Sequence, residues 1–81
     1  MPIAMPQITV RYFASLRERL GRTEEVLDLE GIRTVADVWA RATGEPPPAN
    51  ILAAVNLEYA DFSRPVQDGD ELAFFPPVTG G

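Results

Sequence analysis

Cysteine, histidine and lysine are all missing from these 81 residues. The first two absences remove disulfide scaffolds, thiol catalysis, zinc-finger ligand sets and any imidazole general base. All seven cationic side chains are arginine. The chain therefore has no lysine to form a Schiff base, act as a nucleophile or accept an isopeptide bond. Long apolar runs are missing too. The longest is about five residues, Ile51 to Val55, against the ~20 that a membrane-spanning helix needs. Residues 1–6 carry neither a basic flank nor a sustained apolar stretch, so they do not read as a signal peptide, and a cytoplasmic location is the default expectation. A net charge of −5 argues against nucleic acid, whose phosphates call for a basic stripe, and favours protein partners with basic docking faces. Asp68, Asp70 and Glu71 lack calcium-loop spacing, so no metal is expected.

What is present organises as one small domain. Residues 7–13 (Gln-Ile-Thr-Val-Arg-Tyr-Phe) alternate, with Ile8, Val10 and Tyr12 on one face and Thr9, Arg11 and Phe13 on the other, the pattern of a half-buried strand. Phe13 is an aromatic on the polar face. Ser15 and Glu18 have capping-box spacing ahead of a short helix that Gly21 would stop. Residues 25–29 alternate as a second strand. Thr34 and Asp37 form a second capping box, and Val35, Val38, Trp39 and Ala42 make one apolar stripe, with Trp39 as core anchor. Gly44 ends that helix, and Pro46, Pro47 and Pro48 prevent its resumption. Residues 51–55 read as a buried strand, residues 56–58 as a turn, residues 59–62 as a short edge strand and residues 71–75 as the last strand. Gly69 supplies the positive φ of the turn before it.

One sheet with one long helix across it and one short helix is an α+β arrangement. The first and last strands are the most apolar, which places them side by side and parallel at the sheet centre. The expectation is a ubiquitin-like β-grasp with a mixed sheet of about five strands. Residues 1–6 form a loose leader, 7–75 the β-grasp domain and 76–81 a flexible tail ending in Gly-Gly.

No catalytic constellation can be assembled, because the serines have no base partner and the acids fall in turns or at strand ends. The chemistry points instead to the tail, Pro76-Pro77-Val78-Thr79-Gly80-Gly81. Pro76 and Pro77 fix φ and offer no N–H, so the last strand cannot continue through them. Gly80 and Gly81 are slender enough to thread a narrow tunnel and present a carboxylate. Six extended residues reach ~20 Å. Phe75 alternates away from Phe74, and with Phe13 and Tyr59 it could form an exposed aromatic docking surface.

Residues 52–56 (Leu-Ala-Ala-Val-Asn), residues 68–71 (Asp-Gly-Asp-Glu) and residues 74–81 (Phe-Phe-Pro-Pro-Val-Thr-Gly-Gly) together resemble the small, sulfur-carrier subunits of molybdopterin synthase. The opening Val10-Arg11-Tyr12-Phe13-Ala14 is similar to that family too. The resemblance implies that an E1-like adenylyltransferase uses ATP to convert the Gly81 carboxylate to an acyl-adenylate. A sulfur donor of desulfurase or rhodanese type then makes the thiocarboxylate. The tail enters the larger catalytic subunit and gives sulfur to a cyclic pyranopterin phosphate, in molybdenum cofactor biosynthesis. On this resemblance the chain binds no cofactor itself, and Phe75, Phe13 and Tyr59 dock the partner. Family members carry a leucine-type residue where this chain has Tyr59. Two other classes share the tail chemistry: sulfur carriers for thiamin, tRNA thiolation or cysteine synthesis, and ubiquitin-like protein modifiers.

Overall fold

A computed structural model of the chain describes residues 5–77, so Val78, Thr79, Gly80 and Gly81, like most of the expected leader, lie outside the described residues. Along the chain come β1 (Gln7–Tyr12), α1 (Ala14–Leu20), β2 (Glu24–Asp28), α2 (Val35–Thr43), β3 (Leu52–Val55), β4 (Glu58–Ala60) and β5 (Glu71–Phe75). The strands form one sheet in the order β2-β1-β5-β3-β4. The pairing of β1 with β5 is parallel, and the other three pairings are antiparallel. This is the mixed five-stranded β-grasp expected from the sequence, with the first and last strands adjacent and β5 at the centre.

α2 covers one face of the sheet. Thr34 caps it: its hydroxyl accepts the Asp37 N–H at 3.4 Å. The Asp37 carboxylate in turn accepts the backbone N–H groups of Arg33 and Thr34 at 2.9 and 3.1 Å. Those bonds favour the ionised acid and hold the Asp37 carboxyl below the usual carboxylate range. The helix ends where Gly44 takes φ of 75° and donates its N–H to Ala40 O. The expected stripe of Val35, Val38, Trp39 and Ala42 is buried in one core with Ile8, Val10, Tyr12, Leu72 and Phe74. Trp39 meets Phe74 edge-on with ring centroids 5.1 Å apart, an arrangement suited to the ring quadrupoles. Its indole N–H donates to Pro46 O at 3.2 Å.

Two local expectations need correcting. Ser15 does not cap α1; Phe13 occupies the N-cap position and no side chain caps the helix. The reason is the tightness of the junction. Phe13 N–H still donates to Phe74 O, continuing the β1–β5 ladder, while Phe13 O already accepts from Leu16 N–H. The chain must turn within one residue, and Ala14 does so at φ of 55°. The edge strand is also shorter than expected and stops at Ala60. Phe62 instead packs on the core, stacked on Phe74 with centroids 5.9 Å apart, while Asp61 closes a turn by accepting the Ser63 N–H.

Tyr12 ties the sheet to the end of α2. Its hydroxyl donates to Glu25 Oε2 at 2.6 Å. Arg22 bridges that carboxylate at 2.7 Å and Ala42 O, near the end of α2, at 2.8 Å. Burial, then the Glu25 hydrogen bond and charge, push the Tyr12 phenol above its ordinary value of 10.0. A folded-state value raised above the unfolded one contributes stability that is complete below pH 10.0 and is lost as pH rises. The chain has no lysine or cysteine to titrate alongside Tyr12. Urea unfolding should therefore show a loss of stability above about pH 10, and Tyr12→Phe should flatten that alkaline limb. An unchanged limb in the variant would contradict the assignment.

Candidate functional groove

The alternation that buries Ile8, Val10, Tyr12, Leu72 and Phe74 under α2 turns their neighbours to the opposite, uncovered face. On that face the register sets Arg11 beside Ala73, Ala73 beside Ala54 and Ala54 beside Tyr59, one row across four strands. Two alanine methyls in the middle of the row leave a low floor. Around it stand Phe13, Phe75, Tyr59, Leu57, Arg11 and Glu71, enclosing a groove of about 320 Å³. Phe13 is 44% exposed and Tyr59 78% exposed, whereas Phe75 is half-buried. The Tyr59 and Phe75 rings meet at a tilt with centroids 6.0 Å apart. The structure thus brings together all three aromatic residues picked out as a surface from the sequence.

The cation of the groove is paired within the chain. Arg11 Nε lies 2.9 Å from Glu24 Oε1, and an Arg11 terminal nitrogen lies 3.4 Å from Glu71 Oε2. These pairs are exposed and worth little to stability, but they leave no unmatched cation facing the groove. Among the described residues no cluster of His, Cys, Asp or Glu could hold a metal ion. No helix among them is long and apolar enough to cross a membrane.

Tight turns position the walls. β3 and β4 are joined by a two-residue loop, since Val55 pairs with Glu58. Its central residues, Asn56 and Leu57, take φ of 51° and 71°, the signature of a type I′ hairpin turn. Asn56 fastens this turn to β5. Its side-chain amide donates to Asp70 Oδ1 and its carbonyl accepts the Glu71 N–H, both at 3.0 Å. Its own N–H donates to Glu71 O at 2.8 Å. The acids of residues 68–71 are thereby structural as well as solvated: Asp68 accepts the Gln7 N–H and Asp70 the Gln67 N–H. At the other end Ala14 re-aims the chain immediately after Phe13. All three non-glycine residues with positive φ among the described residues, Ala14, Asn56 and Leu57, therefore adjoin the groove. Clustering of such conformations is characteristic of functional surfaces.

Leu57 was not picked out from the sequence, where Asn56-Leu57-Glu58 reads as an ordinary turn. The available signal was an Asn at the head of a two-residue loop, followed by a large apolar residue where glycine is favoured. β5 ends at Phe75, as the two prolines require. Pro76 and Pro77 follow without regular structure. The chain thus leaves the sheet beside Phe13 and Phe75.

The chain matches the model of the ThiS family over residues 10–81. It is 41% identical over 83 residues to the molybdopterin synthase sulfur carrier subunit of Escherichia coli (strain K12), covering 91% of this chain and 99% of that one. The corresponding subunit of Haemophilus influenzae is 34% identical over the same shares of the two chains. Among solved structures, H. volcanii small archaeal modifier protein 1 superposes with a TM-score of 0.76 at 29% identity, over 90% of this chain and 99% of that one.

The strained junction after Phe13 is open to test. Ala14→Val places a β-branched side chain at positive φ and should cost ~1–2 kcal/mol in denaturant unfolding, whereas Ala14→Gly should cost nothing or stabilise. Equal stability of the valine and glycine variants would contradict the left-handed turn.

Proposed function

The chain belongs to the ThiS family, and from that premise we propose that it is the sulfur-carrier subunit of a molybdopterin synthase, acting in molybdenum cofactor biosynthesis. The observation that carries this reading is the 41% identity, over nearly the full length of both chains, to the E. coli sulfur carrier subunit. The family match also runs through Gly80 and Gly81.

In this reading Gly81 is the reactive residue. A carboxylate is a poor electrophile because it has no leaving group. An E1-like adenylyltransferase supplies one: the Gly81 carboxylate attacks the α-phosphate of ATP, pyrophosphate departs, and an acyl-adenylate forms. Sulfide displaces AMP to give the thiocarboxylate directly. The persulfide of a desulfurase- or rhodanese-type donor displaces AMP to give an acyl disulfide, whose S–S bond a second thiol cleaves, forming a disulfide with the donor's thiol and releasing the thiocarboxylate. Its sulfur is nucleophilic and adds to a cyclic pyranopterin phosphate held by the larger subunit. Water then cleaves the acyl–sulfur bond and restores the carboxylate for recharging. Pro76 and Pro77 stiffen the start of the tail, Val78 and Thr79 extend it, and Gly80 and Gly81 enter the partner's site. Phe75, Phe13 and Tyr59 hold the partner at the groove, so that the tail starts from a fixed point. The partners are cytoplasmic in this account. The likeness to small archaeal modifier protein 1 favours one further reading, in which Gly81 is joined to lysines of other proteins; lacking lysine, this chain would not build lysine-linked chains of itself.

Intact-mass measurement separates the two. Incubated with the activating enzyme, ATP and a sulfur source, the chain should gain the mass of one sulfur-for-oxygen exchange, located in its C-terminal peptide. Deleting Gly81 should abolish the gain and leave thermal unfolding unchanged. Sulfuration that persists without Gly81, or adducts to protein lysines in place of it, would overturn the carrier reading.

A further inference from the structure

We propose that Leu57, at the tip of the β3–β4 hairpin, is a docking residue for the larger synthase subunit, retained there at a cost to the stability of the free chain. This rests on the carrier reading above and adds a contact to it. Leu57 sits at φ of 71°, where an L-residue with a Cβ is strained and glycine is favoured. Its side chain is 93% exposed, so the isolated chain recovers almost no burial in exchange. Asn56 accounts for the shape of the turn through its bonds to Asp70 and Glu71, and none of those bonds needs a leucine side chain next door. What the side chain does is line the groove with Phe13, Tyr59 and Phe75. A strained, exposed aliphatic residue on the rim of an apolar groove has its return when another protein covers it.

The chemistry of that cover follows from the same surface. Among the described residues Arg11 is the one cation lining the groove and is shared between two carboxylates, Glu24 and Glu71, so the charged side of the groove is net acidic. The whole chain carries −5, and a second copy would bring like charges together. The fitting occupant is a different protein that presents an apolar side chain ringed by basic groups. Because the chain leaves the sheet at Phe75, on the groove's edge, the protein that covers the groove is also the one the tail meets.

The test is a binding titration with the purified larger molybdopterin synthase subunit of the same organism, alongside urea unfolding of each variant. Leu57→Gly and Leu57→Asn both suit a left-handed turn and remove the aliphatic group. Each should bind at least tenfold more weakly, the worth of burying one leucine, while the unfolding midpoint of Leu57→Gly rises. Leu57→Met keeps the apolar bulk and should bind within about threefold of the parent. Phe75→Ala serves as the control for the groove. If Phe75→Ala weakens binding and both Leu57 variants bind like the parent, the role of Leu57 is wrong and the carrier reading stands. If the parent itself does not bind, that reading fails and the inference falls with it. A lower midpoint for Leu57→Gly returns Leu57 to a structural role and equally overturns the proposal.

Discussion

Burial of Phe74 is the constraint from which the rest of the molecule follows. Its ring is fully buried against Trp39, Phe62 and Tyr12, in the central strand of the sheet. Side chains on a strand alternate strictly, so seating Phe74 under α2 sends Phe75 and Ala73 to the other face. The parallel partner β1 is locked to the same register, since Tyr12 pairs with Phe74 and Phe13 N–H bonds Phe74 O. A slip by one residue would invert every side chain of β5, burying Phe75 and exposing Phe74. The core thus dictates both the composition of the groove and the point from which the tail departs.

Small residues and strained ones complete the arrangement. Ala54 and Ala73 are too short to fill the middle of the open face. A leucine at either position would remain on the sheet surface yet occupy the groove. The rim is built by turns that hold non-glycine residues at positive φ, with Ala14 behind Phe13 and Asn56-Leu57 beside Tyr59. Neither turn contains glycine, whereas the end of α2, on the other face of the sheet, uses Gly44 at φ of 75°. Conformational ease prevails where only the fold is served, and side-chain content prevails around the groove.

Most of the fold was legible in the sequence because its signals are local and strong. The stripe of Val35, Val38, Trp39 and Ala42, the capping box at Thr34 and the stop at Gly44 need only helical periodicity and terminus chemistry. The parallel pairing of β1 and β5 followed from their apolar character. Phe13, Tyr59 and Phe75 could be named as outward aromatics from alternation and family resemblance. What could not be read was decided by tertiary contacts. Ser15 and Glu18 had capping-box spacing, but the ladder bond from Phe13 to Phe74 and the turn at Ala14 start the helix two residues earlier, with Phe13 at the N-cap position. Phe62 looked like strand and became core, because Trp39 and Phe74 offered a place to bury it. Leu57 gave only the faint hint of a large apolar residue after Asn56, since its importance lies in which side chains the sheet register sets around it.

The account makes one claim above the others: the face of the sheet opposite α2, organised by Phe74, is the surface that meets the partner and releases the tail to it. Amide hydrogen exchange of the chain, alone and with the larger synthase subunit, measures this directly. The account predicts slower exchange in the complex at residues 13–14 and 56–59 and in the segment after Pro77, with α2 unchanged. Protection concentrated on the outer surface of α2, with the hairpin and the tail exchanging as in the free chain, would contradict it.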